Sequence, residues 1–213
     1  MSPSNFQPLD GVAGVEAIFI PRIVGIDTAT DRETALSRLR SRHDQILARG
    51  GIDPAGLATA QQIHGAEVAS VGTGGRSEGA DGLVTGCPRL ALAIYVADCA
   101  AVYLADRHGR AVGLIHSGRT GTEQNITGRA IALLEAEFSV EPADLIVQIS
   151  PCIRPPLYQT DFAAQIAGQA QALGVKEIRD DRICTGSHLD LYYSYRMEGG
   201  RTGRMLAVLQ LNS

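Results

Sequence analysis

The chain has 213 residues, of which 45% are hydrophobic and 20% charged, and its net charge is −4. A chain of this length buries about 70% of its unfolded surface, which excludes a disordered or fibrous protein and points to one domain over residues 1–213. Lys176 is the only lysine and no basic stripe is visible, so a nucleic-acid partner held by counterion release is not expected. With no Trp and 5% aromatic residues, a platform that stacks successive bases is not expected either.

Residues 1–10 lack the basic and apolar regions of a signal peptide, and the longest apolar run, residues 90–96, is far too short to span a bilayer. The four cysteines show no paired spacing. These features predict a cytoplasmic protein with reduced thiols and no membrane partner, compatible with a monomer.

In chain order, residues 15–20 form an apolar run closed by Pro21, read as a strand. Thr30 and Glu33 stand at capping-box spacing and predict a helix that starts at Thr30, buries Leu36, Leu39, Ile46 and Leu47, and stops at Gly50-Gly51. Six short β-prone runs follow, at 57–63, 67–71, 82–85, 90–96, 101–105 and 111–115, with 71–79 read as a glycine-rich loop. Residues 121–138 read as one helix, 145–149 as a buried strand, 151–156 as a proline-rich loop, 161–173 as a helix and 205–211 as the last strand. The fold class is therefore α/β (α+β), with a mixed, largely antiparallel β-sheet core flanked by helices.

Three reactive side chains fall at the ends of strand-like runs: His64, Cys99 and His116. Strand ends can converge at one sheet edge, and two imidazoles with one thiolate form an open tridentate metal set. The competing reading is a small buried cysteine and two structural histidines. Gly113, Gly118, Arg119 and Thr120 outline a P-loop with arginine in place of the required lysine, which argues against a nucleoside triphosphate but leaves room for a simple anion near the following helix. A classical nucleobase deaminase motif fails, because His64-Gly65-Ala66-Glu67 sets the carboxylate one place late and Pro151-Cys152-Ile153-Arg154-Pro155 lacks the second cysteine.

The phrases Gln62-Ile63-His64-Gly65-Ala66-Glu67-Val68, Ala80-Asp81-Gly82-Leu83-Val84-Thr85, Ala97-Asp98-Cys99-Ala100-Ala101-Val102 and Gly113-Leu114-Ile115-His116-Ser117-Gly118 occur in that order. Together with Ser150-Pro151-Cys152-Ile153 followed by Tyr158, and Tyr193-Ser194-Tyr195-Arg196 with Thr202-Gly203-Arg204, they resemble the laccase-domain or multicopper polyphenol oxidase family, now described as purine nucleoside phosphorylases that also deaminate adenosine. The resemblance implies zinc ligands at His64, Cys99 and His116 and a zinc-dependent enzyme acting on a purine nucleoside and phosphate. It departs from the family where Arg119-Thr120 stand in place of Trp-Arg, and in the segment before His64.

A multicopper oxidase needs a trinuclear cluster as well, and five histidines are too few. A single copper at the same three residues remains compatible with the donor set. Within the implied site, Cys99 and His116 are the candidate catalytic residues. Asp98, beside the cysteine, is a candidate to orient an imidazole or move a proton, with a structural role as the alternative. Arg119, Arg154 and Arg196 are candidates to hold phosphate. Two other classes stay open: a metal-free Cys-His hydrolase with Cys99 as nucleophile, and a non-catalytic metal-binding protein.

Overall fold

A computed structural model describes residues 6–212. The expectation for residues 1–10 therefore lies partly outside the described residues.

The strands divide between two sheets. The first contains β1 (Val15–Ile20), β11 (Met205–Leu211), β6 (Ala91–Val96), β2 (Ala58–Ala60) and β4 (Gly75–Ser77), in that spatial order. The second contains β10 (Glu177–Asp180), β9 (Leu145–Ile149), β7 (Ala100–Asp106), β8 (Val112–Ser117), β5 (Gly82–Thr85) and β3 (Val68–Ser70). The long central pairings are antiparallel, and parallel pairs lie toward the edges. The expected mixed, largely antiparallel core is present, but it is two sheets rather than one.

Alternation along each strand explains the layering. Leu92, Ile94, Met205, Ala207 and Leu209 from the first sheet share a core with Tyr103, Val112 and Leu114 from the second. The intervening residues face outward under helices. Ala91, Ala93, Leu206 and Val208 meet α1 (Arg32–Arg49) through Leu47. Val102, Leu104, Ile115 and Val147 meet α3 (Ile126–Phe138) and α4 (Phe162–Ala172). The order of layers is helix, sheet, sheet, helices. Tyr103, fully buried between the sheets, donates its hydroxyl to the Ile18 carbonyl at 2.9 Å, which satisfies the one polar atom of a large core ring.

Two helix boundaries differ from expectation. Asp31, not Thr30, caps α1, with Oδ1 accepting from the Thr34 amide at 3.0 Å; aspartate competes well for this position and leaves the Thr30–Glu33 box unused. The buried stripe is Ala35, Leu39, His43 and Leu47: Leu39 and Leu47 are buried as expected, whereas Leu36 and Ile46 are half-buried beside it. The stretch 121–138 is two helices, α2 (Arg119–Glu123) and α3, because Asn125 takes left-handed backbone and caps α3 by accepting from the Gly128 amide. None of the described helices is long and apolar enough to cross a membrane.

Candidate metal centre and its cavity

The chain passes from the first sheet to the second between β6 and β7, and the turn at that corner is Ala97-Asp98-Cys99. Asp98 takes φ +79°, a left-handed conformation that reverses the chain within three residues. Cys99 follows it and is presented at the edge of the second sheet. His116, on β8, pairs with Ala101 of β7, so its ring stands beside the cysteine.

His64 arrives from the loop between β2 and β3. The amides of Ile63, His64 and Gly65 all donate to the Asp81 carboxylate, at 3.1, 2.9 and 2.8 Å. Successive N–H groups wrapped around one carboxylate form an anion-binding nest, with His64 itself at φ +63°. The same carboxylate, fully buried, meets His116 Nδ1 at 2.8 Å. Asp81 thereby fixes the backbone of one histidine and the ring of the other, leaving His116 Nε2 as the available donor atom.

One ligand atom from each of His64, Cys99 and His116 lies within 4.8 Å of the others, and the two imidazole centroids are 4.9 Å apart at 80°. Burial pushes the Cys99 thiol up, but the His116 and His64 imidazoles outweigh it and leave its pKa lowered to about 6. Burial likewise pushes His116 down, and the facing thiolate and Asp81 raise it to about 9. A cysteine poised as thiolate between two imidazoles, one with its tautomer set, fits a metal ion with an open fourth position. Gly118 makes room for the sulfur, since a Cβ there would stand 2.5 Å from Cys99 Sγ. The glycine of the P-loop-like outline therefore serves the thiol rather than a phosphate.

The centre lies in the wall of a cavity of about 760 Å³. Four of the chain's ten aromatic residues line it: Tyr95, Tyr158, Phe162 and Tyr195. Tyr158 and Phe162 meet edge to face at 5.9 Å between centroids, and Arg196 lies 5.3 Å over the Tyr158 ring.

The other sequence candidates separate here. Asp98 touches neither His64 nor His116 by a hydrogen bond. Its carboxylate accepts from Thr185 Oγ1 at 2.8 Å, Ser194 Oγ at 2.7 Å and the Arg196 amide at 2.7 Å, so it ties two loops to the corner, and the imidazole-orienting carboxylate is Asp81. Arg154 does not line the cavity. It is buried and paired with Asp180, Nη2 to Oδ1 at 2.5 Å and Nη1 to Oδ2 at 3.1 Å. Arg119 lines the cavity and is half exposed, with Nε on Glu123 at 2.8 Å. Arg196 lines it as well. Two further arginines line it: Arg32, at the start of α1, which the sequence did not single out, and Arg204, just before β11, which the resemblance carries in Thr202-Gly203-Arg204 without a role. The segment that departs from the family pattern thus supplies part of the cavity.

A two-sheet sandwich with a His-Cys-His group at the sheet corner defines the class, and comparison with known proteins agrees with it. Residues 25–165 and 156–212 match the family model described as multi-copper polyphenol oxidoreductase laccase, and the chain belongs to that family. A curated relative, purine nucleoside phosphorylase YlmD of Geobacillus stearothermophilus, is 29% identical over 192 residues covering 70% of each chain. Another, purine nucleoside phosphorylase Cgl2154/cg2365 of Corynebacterium glutamicum, is 29% identical over 215 residues, covering 87% of this chain and 85% of the relative. The crystal structure of YlmD from Geobacillus stearothermophilus superposes with a TM-score of 0.85 at 22% identity, over 95% of this chain and 93% of the other. The fold is therefore shared. Among the described residues one group of three metal-ligating side chains is present, His64, Cys99 and His116. The other three histidines, His43, His108 and His188, fall outside that group; His43 is buried on α1 and His108 pairs with Asp144.

Proposed function

We propose that this chain is a zinc-dependent enzyme that cleaves purine nucleosides by phosphorolysis, with His64, Cys99 and His116 as the metal ligands. The observation that carries the reading is the placement of these three donors in the wall of an aromatic-lined cavity. The curated names of the relatives support the substrate class. Zinc, when bound there, supplies Lewis-acid charge beside the reacting groups. Asp81 keeps His116 in one tautomer and His64 in one backbone geometry. Tyr158, Phe162 and Tyr195 offer flat apolar surface to a purine. Arg119 and Arg196 put positive charge on the same wall. In phosphorolysis the glycosidic C–N bond breaks, a phosphate oxygen bonds to the sugar carbon, and the base leaves with a proton. A small-molecule, cytoplasmic role needs no nucleic-acid or membrane partner.

The test is product analysis with metal counting. Inosine and adenosine incubated with the protein and phosphate should yield free base and sugar 1-phosphate, with about one zinc per chain. Base release that does not depend on phosphate, or none at all, overturns the reading. Conversion of adenosine to inosine without base release would assign hydrolytic deamination instead.

A second reading has its own observation, the pairing of a Cys99 thiol lowered to about 6 with a His116 raised to about 9. That is the charge state of a nucleophile and its base in a metal-free hydrolase. Turnover that survives complete chelation would favour it. Copper in place of zinc, or metal binding without turnover, are the remaining outcomes of the same metal count.

A further inference from the structure

Four guanidiniums line the cavity, those of Arg32, Arg119, Arg196 and Arg204, against one carboxylate, Asp98. Both Asp98 oxygens already accept hydrogen bonds. Arg119 is paired with Glu123 and Arg196 lies over Tyr158. Arg32 and Arg204 differ, because among the described residues neither has an acidic side chain within ion-pair distance.

Arg204 is held in place without being neutralised. Its Nη1 donates to the carbonyls of Thr202 and Gly203, both at 2.9 Å, and its guanidinium lies 5.8 Å over the Tyr195 ring. Among the described residues that leaves Nε and Nη2 without a hydrogen-bond partner on a pinned plane. Arg32 makes one long contact, Nη2 to Gln62 Oε1 at 3.5 Å. Burial pushes both guanidiniums down from the usual arginine range, and Arg32 adds to the effect on Arg204. Both line the same cavity as His64, Cys99 and His116. Arg204 is half-buried and Arg32 exposed at the cavity rim, and two like charges that share a cavity wall without a carboxylate partner repel each other, which a bound anion relieves. Two forks from separate elements also suit a tetrahedral oxyanion, which has oxygens to offer each, better than a carboxylate satisfied by one arginine.

We propose that Arg32 and Arg204 form an anion subsite for a phosphate group, either inorganic phosphate or the phosphate ester of a nucleotide. The inference rests on the phosphorolytic reading for its place beside the metal, and its test separates the two.

Inorganic phosphate binding is measured by calorimetry on the whole protein and on Arg32→Gln and Arg204→Gln, alongside inosine binding and circular dichroism. Arg32 is exposed at the rim, so Arg32→Gln keeps the test open if Arg204→Gln fails to fold. Phosphate affinity should fall at least tenfold in Arg32→Gln, inosine affinity should stay within twofold, and Arg32→Lys should recover part of the loss. Unchanged phosphate affinity in Arg32→Gln, or an equal loss for inosine, overturns the subsite. Adenosine and AMP then identify the source. If the subsite takes an ester, AMP binds more tightly than adenosine, phosphate competes with it, and the margin vanishes in Arg32→Gln. If it takes free phosphate, adenosine and phosphate bind together and AMP excludes phosphate without gaining affinity. Phosphate binding with no phosphorolysis would sink the functional reading while leaving the subsite standing. Phosphorolysis with an unaltered phosphate KM in Arg32→Gln would do the reverse.

Discussion

Asp81 Oδ1 stands 2.8 Å from His116 Nδ1 while the same carboxylate accepts the amides of the loop that carries His64. One buried side chain therefore determines the relative placement of two donors that are 52 residues apart in sequence, His64 and His116. Asp81→Asn keeps the shape but replaces one accepting oxygen with a donor that faces N–H groups. Supporting partners of ligating histidines are typically worth about 10–100-fold in metal affinity. We expect a loss of that size in a chelator competition, with the melting temperature also lowered. Full zinc affinity in the variant would show that the carboxylate only packs the loop.

Gly118→Ala probes the sulfur from the other side. The added Cβ would sit 2.5 Å from Cys99 Sγ, and since Gly118 has φ −97°, the backbone itself tolerates alanine. The cost falls on the thiol, which must move. Overpacking of this kind typically costs about 1–3 kcal/mol. The variant should fold, with weakened zinc binding detected by metal analysis after gel filtration. Cys87→Ser and Cys184→Ser, whose sulfurs lie outside the donor group, should retain both zinc and turnover. A loss at either matching that of Cys99→Ser would reassign the ligand set.

His43 predicts an acid-sensitive fold. It is buried on α1, 6.0 Å from the ring of Tyr95, and neither ring nitrogen has a hydrogen-bond partner. Burial lowers its pKa to about 4 from an ordinary 6.5. A group whose folded pKa is depressed in this way favours the fold when neutral. Its penalty is absent above pH 6.5 and grows as pH falls from there through 4, reaching about 3 kcal/mol for a shift of this size. Urea unfolding of the native chain and of His43→Leu should diverge progressively between pH 7 and 4. Parallel curves would mean that the imidazole finds a proton partner on acidification. Because Tyr95 lines the cavity, the same pH range should also loosen that wall.

Several elements were legible because burial and punctuation coincide in the sequence. Val15–Ile20, Leu145–Ile149 and Met205–Leu211 were read with their observed ends, each a buried or half-buried run bounded by turn residues. Gly75–Ser77 and Glu177–Asp180 were missed, since polar edge strands carry no alternation to read. The division into two sheets was also hidden, because a period of two does not say which sheet a strand joins. At the site, His64, Cys99 and His116 stood out as ends of strand-like runs and the resemblance implied them as ligands, although His64 lies in the loop after β2 and not at a strand end. Asp98 misled because it adjoins Cys99 in sequence, while the turn at φ +79° sends its carboxylate toward Thr185 and Ser194. Arg204 was visible only as part of the Thr202-Gly203-Arg204 phrase and Arg32 not at all, because lacking an acidic partner is a property of the folded surface.

The last prediction concerns Arg119, where the family pattern has tryptophan. Two effects compete at this position. The ion pair with Glu123 is half exposed on both sides, and such pairs contribute about 0–1 kcal/mol, so losing it costs the fold little. The side chain also borders the cavity on the wall that carries Tyr158 and Phe162. A tryptophan there would extend that aromatic wall by up to about 250 Å² of ring surface and remove one positive charge. Thr120 is exposed and does not line the cavity, so it is not expected to matter alone. We expect Arg119→Trp to raise kcat/KM for inosine and adenosine several-fold, chiefly through KM, as added uniform binding does, with phosphate KM unchanged because Arg32 and Arg204 remain. An unchanged kcat/KM for both nucleosides in a folded, zinc-loaded variant would show that position 119 lies outside the substrate's reach. A rise in phosphate KM instead would place Arg119 in the anion subsite and require its boundary to be redrawn.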